Sequence, residues 1–132
     1  MLITIDTSAL LAVLVNEPYK ANIIELTRES DLQAPASLDA EVGNALSAMI
    51  KRNRISASDA EEVIIQYEKI PIRRTQIRLA HAIELAATFN IYAYDAYVLD
   101  CAKQYQTPLL SLDKRMVEFA KRLQITTLEV TP

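Results

Sequence analysis

Residues 2–15 read LITIDTSALLAVLV, and residues 108–113 read PLLSLD. In both, a short apolar run ends at an aspartate, Asp6 or Asp113, and a helix-forming stretch follows. Leu2 to Ile5 has the length and residue types of a buried strand. From Ser8 to about Val15 the residues are apolar nearly all round, as in a helix contacted on more than one side. Pro108 to Leu112 reads as a second buried strand, and Asp113 begins a helix ending near Leu123. In an open parallel sheet, binding sites lie beyond the carboxyl ends of the strands. Two such strands running parallel bring Asp6 and Asp113 to one rim, although each is also well suited simply to cap its helix.

Outward from these stretches, strands and helices alternate. Glu17-Pro18 is expected to open a helix reaching about Arg28, with proline in the first turn. Leu32 to Ala34 suits a brief strand. Pro35 and Ser37 then start a helix whose apolar positions, Leu38, Val42, Leu46 and Met49 among them, follow a spacing of three to four. Ser56 and Ser58 offer N-caps for a helix to about Lys69. Ile70 to Ile72 is a candidate strand weakened by Pro71. Thr75 is expected to cap a helix through about Ala87, a further helix covers about Ala93 to Gln104, and Ile125 to Val130 reads as a last strand. The pattern predicts an α/β fold, a short parallel sheet flanked by helices on both faces. With 132 residues, positions 1–132 are expected to form a single domain.

Composition removes several functions. A single glycine, Gly43, cannot build a phosphate-cradling loop or a dinucleotide fingerprint, so any handling of phosphate falls to side chains and metal ions. The lone Cys101 has no disulfide partner in the chain, which suits a reducing cytoplasm. The apolar N-terminus lacks a basic leader and a cleavage site, Asp6 interrupts it, and no run of about 18 apolar residues could span a bilayer. A soluble cytoplasmic protein without a membrane role is expected. The formal charge of −3 argues mildly against nucleic acid, yet basic residues cluster at Lys51, Arg52 and Arg54 and at Lys114 and Arg115. Carboxylates covered by divalent cations would also invert the local field.

Two further acids stand where acids are costly. Glu41 borders the apolar stripe of its helix, with Asn44 on the same face. Asp95 has Val98, Leu99 and Ala102 at i+3, i+4 and i+7, which puts it on the buried side of its helix, in the first turn where the helix dipole favours its charge. Asp100 is turned away from Asp95 and is expected to meet solvent or play a supporting role. Four acids with no evident basic neutraliser call for a cation, and hard oxygen ligands select Mg²⁺ or Mn²⁺ over zinc. His81, the only histidine, reads as a packed or surface residue and Cys101 as a small buried hydrophobe, which leaves no serine–histidine or cysteine–histidine nucleophile.

Taken in order, the segments ITIDTSAL, SLDAEVGNAL, YAYDAYVLDCA and PLLSLDKRM resemble the PIN-domain family, most closely the ribonuclease toxins of VapBC-type toxin–antitoxin pairs. The likeness runs from Leu2 to about Val130. It implies a Rossmann-like sheet, a homodimer, and an Mg²⁺- or Mn²⁺-dependent endoribonuclease, a hydrolase that cuts RNA with a metal-activated water. Matched residue by residue, the metal-binding and catalytic acids are Asp6, Glu41, Asp95 and Asp113, supported through hydrogen bonds by Thr7, Ser8, Asn44 and Ser111. Ser111 stands where threonine is common, and Asp100 where an uncharged residue is. A cognate antitoxin is the implied partner, its apolar segment lying in a groove beside residues 9–15 and Ile23, Ile24 and Leu26. Lys51 to Arg54 and Lys114-Arg115 are expected to contact the RNA backbone. The rival reading is a catalytically inert PIN-like module that binds RNA or protein. A haloacid-dehalogenase phosphatase fits worse, because Ser8 stands where that chemistry wants a second aspartate.

Overall fold

The computed structural model describes residues 1–132. Its elements, in chain order, are β1 (Leu2–Ile5), α1 (Thr7–Leu14), α2 (Lys20–Thr27), β2 (Asp31–Pro35), α3 (Leu38–Lys51), α4 (Ala57–Glu68), β3 (Ile72–Thr75), α5 (Leu79–Phe89), α6 (Ala93–Tyr105), β4 (Leu109–Leu110) and α7 (Lys114–Arg122). The four strands form one sheet in the order β3-β2-β1-β4, every pairing parallel. Leu2 lies opposite Asp31, Leu32 opposite Ile72, and Thr4 opposite Leu109.

Alternation along the strands divides the interior between the two faces. Ile3, Ile5 and Leu110 join α1, α2, α3 and α4 in the larger apolar cluster. Leu109 points the other way, into a smaller cluster with Val98 and Leu99 of α6 and Met116 and Ala120 of α7. Helices therefore cover both faces, as the strand–helix alternation predicts.

The second face also holds a neutral polar network. Thr4 and Thr107 hydroxyls share a hydrogen bond at 2.6 Å, Gln33 Nε2 donates to Thr4 Oγ1 at 3.0 Å, and Cys101 Sγ lies 3.2 Å from Thr75 Oγ1. All five side chains are buried. Cys101 is thus an interior residue, as its sequence context suggests.

With one glycine available, other residues make the sharp reversals. Asn16, Asn53, Asn90, Gln106 and Gln124 all have φ between 52° and 61°. Asparagine tolerates this left-handed conformation better than most side chains, and here it ends helices as glycine commonly does. At the other end of α4, Ser56 and Asp59 form a reciprocal capping box with both bonds at 3.0 Å.

Several boundaries differ from the sequence expectation. Pro18 lies in a turn, and α2 begins only at Lys20. The strand expected at Ile70 to Ile72 starts after Pro71, which suits an edge strand since proline has no N–H to give the ladder. Thr75 ends that strand, buried, and does not cap α5; Arg78 occupies the cap position. Strand β4 keeps two residues, because Ser111 turns away to bond Asp6. Residues 125–130 form no strand, only a bridge between Leu109 and Thr127, with backbone bonds Leu109 N–H to Thr126 O and Leu128 N–H to Leu109 O.

No helix is long and apolar enough to cross a membrane.

Candidate active site

The carboxyl ends of β1 and β4 are laced together by Asp6 N–H donating to Leu110 O at 2.9 Å. This places Asp6 beside Ser111, and the side chains complete the join. Asp6 is only 7% exposed, and its carboxylate accepts from Thr7 N–H at 2.9 Å, Ser8 Oγ at 2.9 Å and Ser111 Oγ at 2.7 Å. Ser8 Oγ in turn accepts from Leu112 N–H, and Ser111 Oγ from Asp113 N–H. Burial pushes the Asp6 carboxyl above its ordinary range, the three hydrogen bonds oppose that, and the Asp113 charge adds to the rise.

Glu41 approaches the same rim from the first turn of α3, where Ser37 Oγ donates to Oε2 at 3.0 Å. Partial burial raises its pKa to about 7, partly opposed by Ser37 and reinforced by repulsion from Asp6 and Asp95. Asp95, in the first turn of α6, is half-buried and accepts no hydrogen bond from any side chain or N–H outside its helix. Its carboxyl is likewise raised, first by burial and then by Asp6 and Asp113, while Arg115 pulls the other way. Asp113 is exposed and caps α7, taking Arg115 N–H at 2.9 Å and Met116 N–H at 3.3 Å.

The four acids thus come from four separate places in the chain and stand in one another's fields. Each also has an ordinary structural explanation available, and only Asp113 and Asp6 use it as helix caps. Raised carboxyls near one another with one nearby arginine are unfavourable for folding by themselves, a cost that a bound cation would relieve. The donor set suits a hard one, all oxygens from carboxylates with a hydroxyl nearby. Thr7 Oγ1 faces Glu41 and eases its charge slightly, yet it is buried without a hydrogen-bond partner. The acids do not form a closed cage as they stand, for no three are set tightly enough to hold an ion. Closing on one would take side-chain rotation at the rim.

Not every expected residue takes part. Asn44 is exposed on α3 and its side chain makes no hydrogen bond, so the support expected from it is not seen; only its backbone oxygen is used, by Ser47. Asp100 is 6% exposed and gripped by Arg78, whose Nε and Nη2 donate at 3.0 and 2.6 Å. The expectation that it meets solvent is therefore overturned, because a tertiary partner neutralises it inside the fold. Lys51 to Arg54 lie at the far end of α3, about 15 Å from Glu41 at the helical rise. Lys114 and Arg115 begin the helix that Asp113 caps, beside the acids.

Two residues that sequence reasoning passed over belong to this rim. Ser37, read as a helix starter, holds Glu41 from four residues away, a spacing that itself hints at the contact. Arg115, read only as a phosphate contact, is the one cation that eases Asp95.

The PIN domain model matches residues 3–122. Ribonuclease VapC12 of Mycobacterium tuberculosis is 28% identical over 119 residues, covering 89% of this chain and 91% of the relative. Ribonuclease VapC9 of the same organism is 26% identical over 117 residues, covering 87% and 88%. Among solved structures, PAE2754 from Pyrobaculum aerophilum superposes with a TM-score of 0.70 at 17% identity, over 95% of this chain and 81% of that one. VapBC2 from Rickettsia felis, bound to a DNA fragment from its promoter, gives 0.71 at 11% identity, over 99% and 100%. These two likenesses speak for the fold.

Proposed function

The chain belongs to the PIN-domain family, and from that premise we propose that it is the toxin of a toxin–antitoxin pair, an endoribonuclease working in the cytoplasm with Mg²⁺ or Mn²⁺ held by Asp6, Glu41, Asp95 and Asp113. The observation that carries the reading is the meeting of these four acids at the carboxyl rim of the sheet, three of them with raised pKa values. A cation bound there would supply Lewis acidity toward the scissile phosphate and toward an attacking water.

The chain's own residues prepare that site. Ser8 and Ser111 fix Asp6 Oδ2 in direction, and Thr7 N–H fixes Oδ1. Ser37 does the same for Glu41 Oε2 and leaves Oε1 free. The raised pKa of Glu41 belongs to the site without metal; a cation held there would favour its charged form and free it as a ligand. Lys114 and Arg115 offset the repulsion that an acidic rim presents to RNA. No side-chain nucleophile is needed; His81 is exposed on α5, and Cys101 is sealed in the interior.

The antitoxin partner is supported by two relatives named ribonuclease VapC and by a groove of about 460 Å³ between the end of α1 and α4, with Val13, Leu14, Val63 and Ile70 in its wall; the groove does not follow α2 as expected, for Ile23 is buried in the core and neither Ile24 nor Leu26 lines it. Lys20 and Lys69 stand at its edge. Homodimer formation is supported by Leu79 and Ile83, exposed one turn apart on α5.

The direct test incubates the purified chain with labelled total RNA and Mn²⁺ or Mg²⁺, beside an Asp95→Asn variant and a chelator control. Cutting that needs both the metal and Asp95 is expected. RNA bound but uncut, with no metal taken up, would instead identify an inert binding module.

A further inference from the structure

Three of the chain's six tyrosines fall within YAYDAY, residues 92–97, around Asp95. Two of them serve each other: Tyr94 and Tyr97 pack edge to face with centroids 6.1 Å apart. Tyr92 does not. It is 88% exposed, the most exposed large hydrophobic side chain in the molecule, and its hydroxyl makes no hydrogen bond within the protein. As the N-cap residue of α6 it gives that helix no side-chain cap either. Serine, threonine or aspartate would serve the helix better there, so local stability does not account for an aromatic ring at this position.

The ring borders a cavity of about 340 Å³ shared with Asn90, Ile91, Asp95 and Arg115. One wall of this cavity is therefore a carboxylate of the acidic rim, and the other is a cation. Arg115 is uncommitted. The chain's ion pairs are Arg28–Glu25, Arg74–Asp39 and Arg78–Asp100, and Arg115 enters none of them. Its guanidinium rests over the Phe119 ring at 5.8 Å, a contact that holds the side chain without using its donors. An exposed ring and an unpaired guanidinium in one hollow beside an acid of the rim match the parts needed to hold a single nucleotide: a flat surface for the base and donors for the adjoining phosphate.

We propose that Tyr92 and Arg115 form a nucleotide subsite beside the acids, with the Tyr92 ring stacking on an unpaired base next to the scissile phosphate and Arg115 bonding the phosphate. The proposal rests on the ribonuclease reading and sharpens it. It makes Tyr92 a determinant of which RNA conformation is accepted, since a paired base inside a helix offers no free face to the ring. The neighbouring Tyr94 and Tyr97, already paired, take no part.

The test is an equilibrium one, made in EDTA so that nothing is cut. Fluorescence anisotropy follows the whole chain binding a short random-sequence single-stranded RNA and, separately, the same RNA as a blunt duplex. Tyr92→Ala is expected to weaken single-strand binding about ten-fold, with duplex binding unchanged and Tyr92→Phe close to wild type. Arg115→Gln is expected to weaken both probes and lower the salt dependence by about one released counterion. A 2-aminopurine in the single strand should be quenched on binding by the wild type and less so by Tyr92→Ala. Sedimentation of the same variants reports the association state. Single-strand affinity unchanged in Tyr92→Ala overturns the subsite, as does an affinity loss that accompanies a change in association state, which would assign the ring to a protein contact. If the wild type binds neither probe in EDTA, the titration is repeated with Ca²⁺ covering the acids; absence of binding there too overturns the ribonuclease reading, and the subsite with it.

Discussion

Helix α6 carries two aspartates five residues apart, and they have opposite fates. Asp100, in the middle of the helix, is buried and clasped by two donors of Arg78, which ties the start of α5 to α6. Asp95, at the N-terminal end, is half-buried among other acids with no such partner, and its carboxyl is raised. Both occupy positions where an unpaired charge is costly. The fold resolves that cost at Asp100 and leaves it standing at Asp95. An acid whose charge is answered within the chain does structural work, whereas one left unanswered beside three others is available to a cation.

The widest separation is expected in activity. Asp95→Asn should lower RNA cleavage by on the order of a hundred-fold or more, since even residues supporting a metal ligand commonly cost 10–100-fold. Its melting temperature should stay level or rise, because a repelled carboxyl is removed. Asp100→Asn should invert the pattern, lowering Tm by roughly 5 °C or more through loss of a buried charged partner while the folded fraction still cuts RNA. Parallel cleavage and melting assays decide the matter; equal activity losses in the two folded variants would erase the distinction.

Ser111→Ala should come next. It removes the shortest hydrogen bond to Asp6 and the acceptor of Asp113 N–H while leaving all four carboxylates in place, so cleavage should fall about ten-fold. Ser8→Ala should do somewhat less to Asp6, because its bond is 2.9 Å against 2.7 Å for Ser111. Steady-state rates at fixed metal concentration would show the order, and a larger loss for Ser8→Ala would mean that its bond to Leu112 N–H matters more than its bond to Asp6.

A smaller effect concerns pH. The folded protein holds the Glu41 proton up to about pH 7, whereas the unfolded chain releases it near 4.5. Without metal, therefore, this group favours the fold most at the acid end, and its contribution is lost as pH rises between those values. Asp6 and Asp95, also raised, act in the same direction. Glu41→Gln should flatten that part of the profile and melt a few degrees above the wild type at pH 8, both proteins in chelator. Superimposable melting curves across this range would show that the charge on Glu41 is already answered.

The same contrast explains what could be read from the sequence. Asp6 and Asp113 were legible because each ends an apolar run that begins as a strand, Asp6 directly after β1 and Asp113 three residues past β4, and parallel strands fix the rim they share. Glu41 and Asp95 were legible from their placement against the apolar stripe of their own helices. Asp100 was not, because its partner Arg78 sits 22 residues away on another element, and periodicity along one helix says nothing of such a contact. Thr75 looked like a helix cap from its residue type, but pairing of β3 with β2 and the contact to Cys101 decided its place. Residues 125–130 have the composition of a strand and yet make only one bridge, since edge pairing depends on how much partner strand remains, and β4 offers two residues.

The most direct measurement of the central claim is calorimetric titration of Mn²⁺ into the wild type, Asp95→Asn and Asp100→Asn, with RNA cutting followed in the same samples. The account predicts binding and cutting by the wild type and by folded Asp100→Asn, and much weaker binding without cutting by Asp95→Asn. Undiminished Mn²⁺ binding by Asp95→Asn, or none by the wild type, would contradict it.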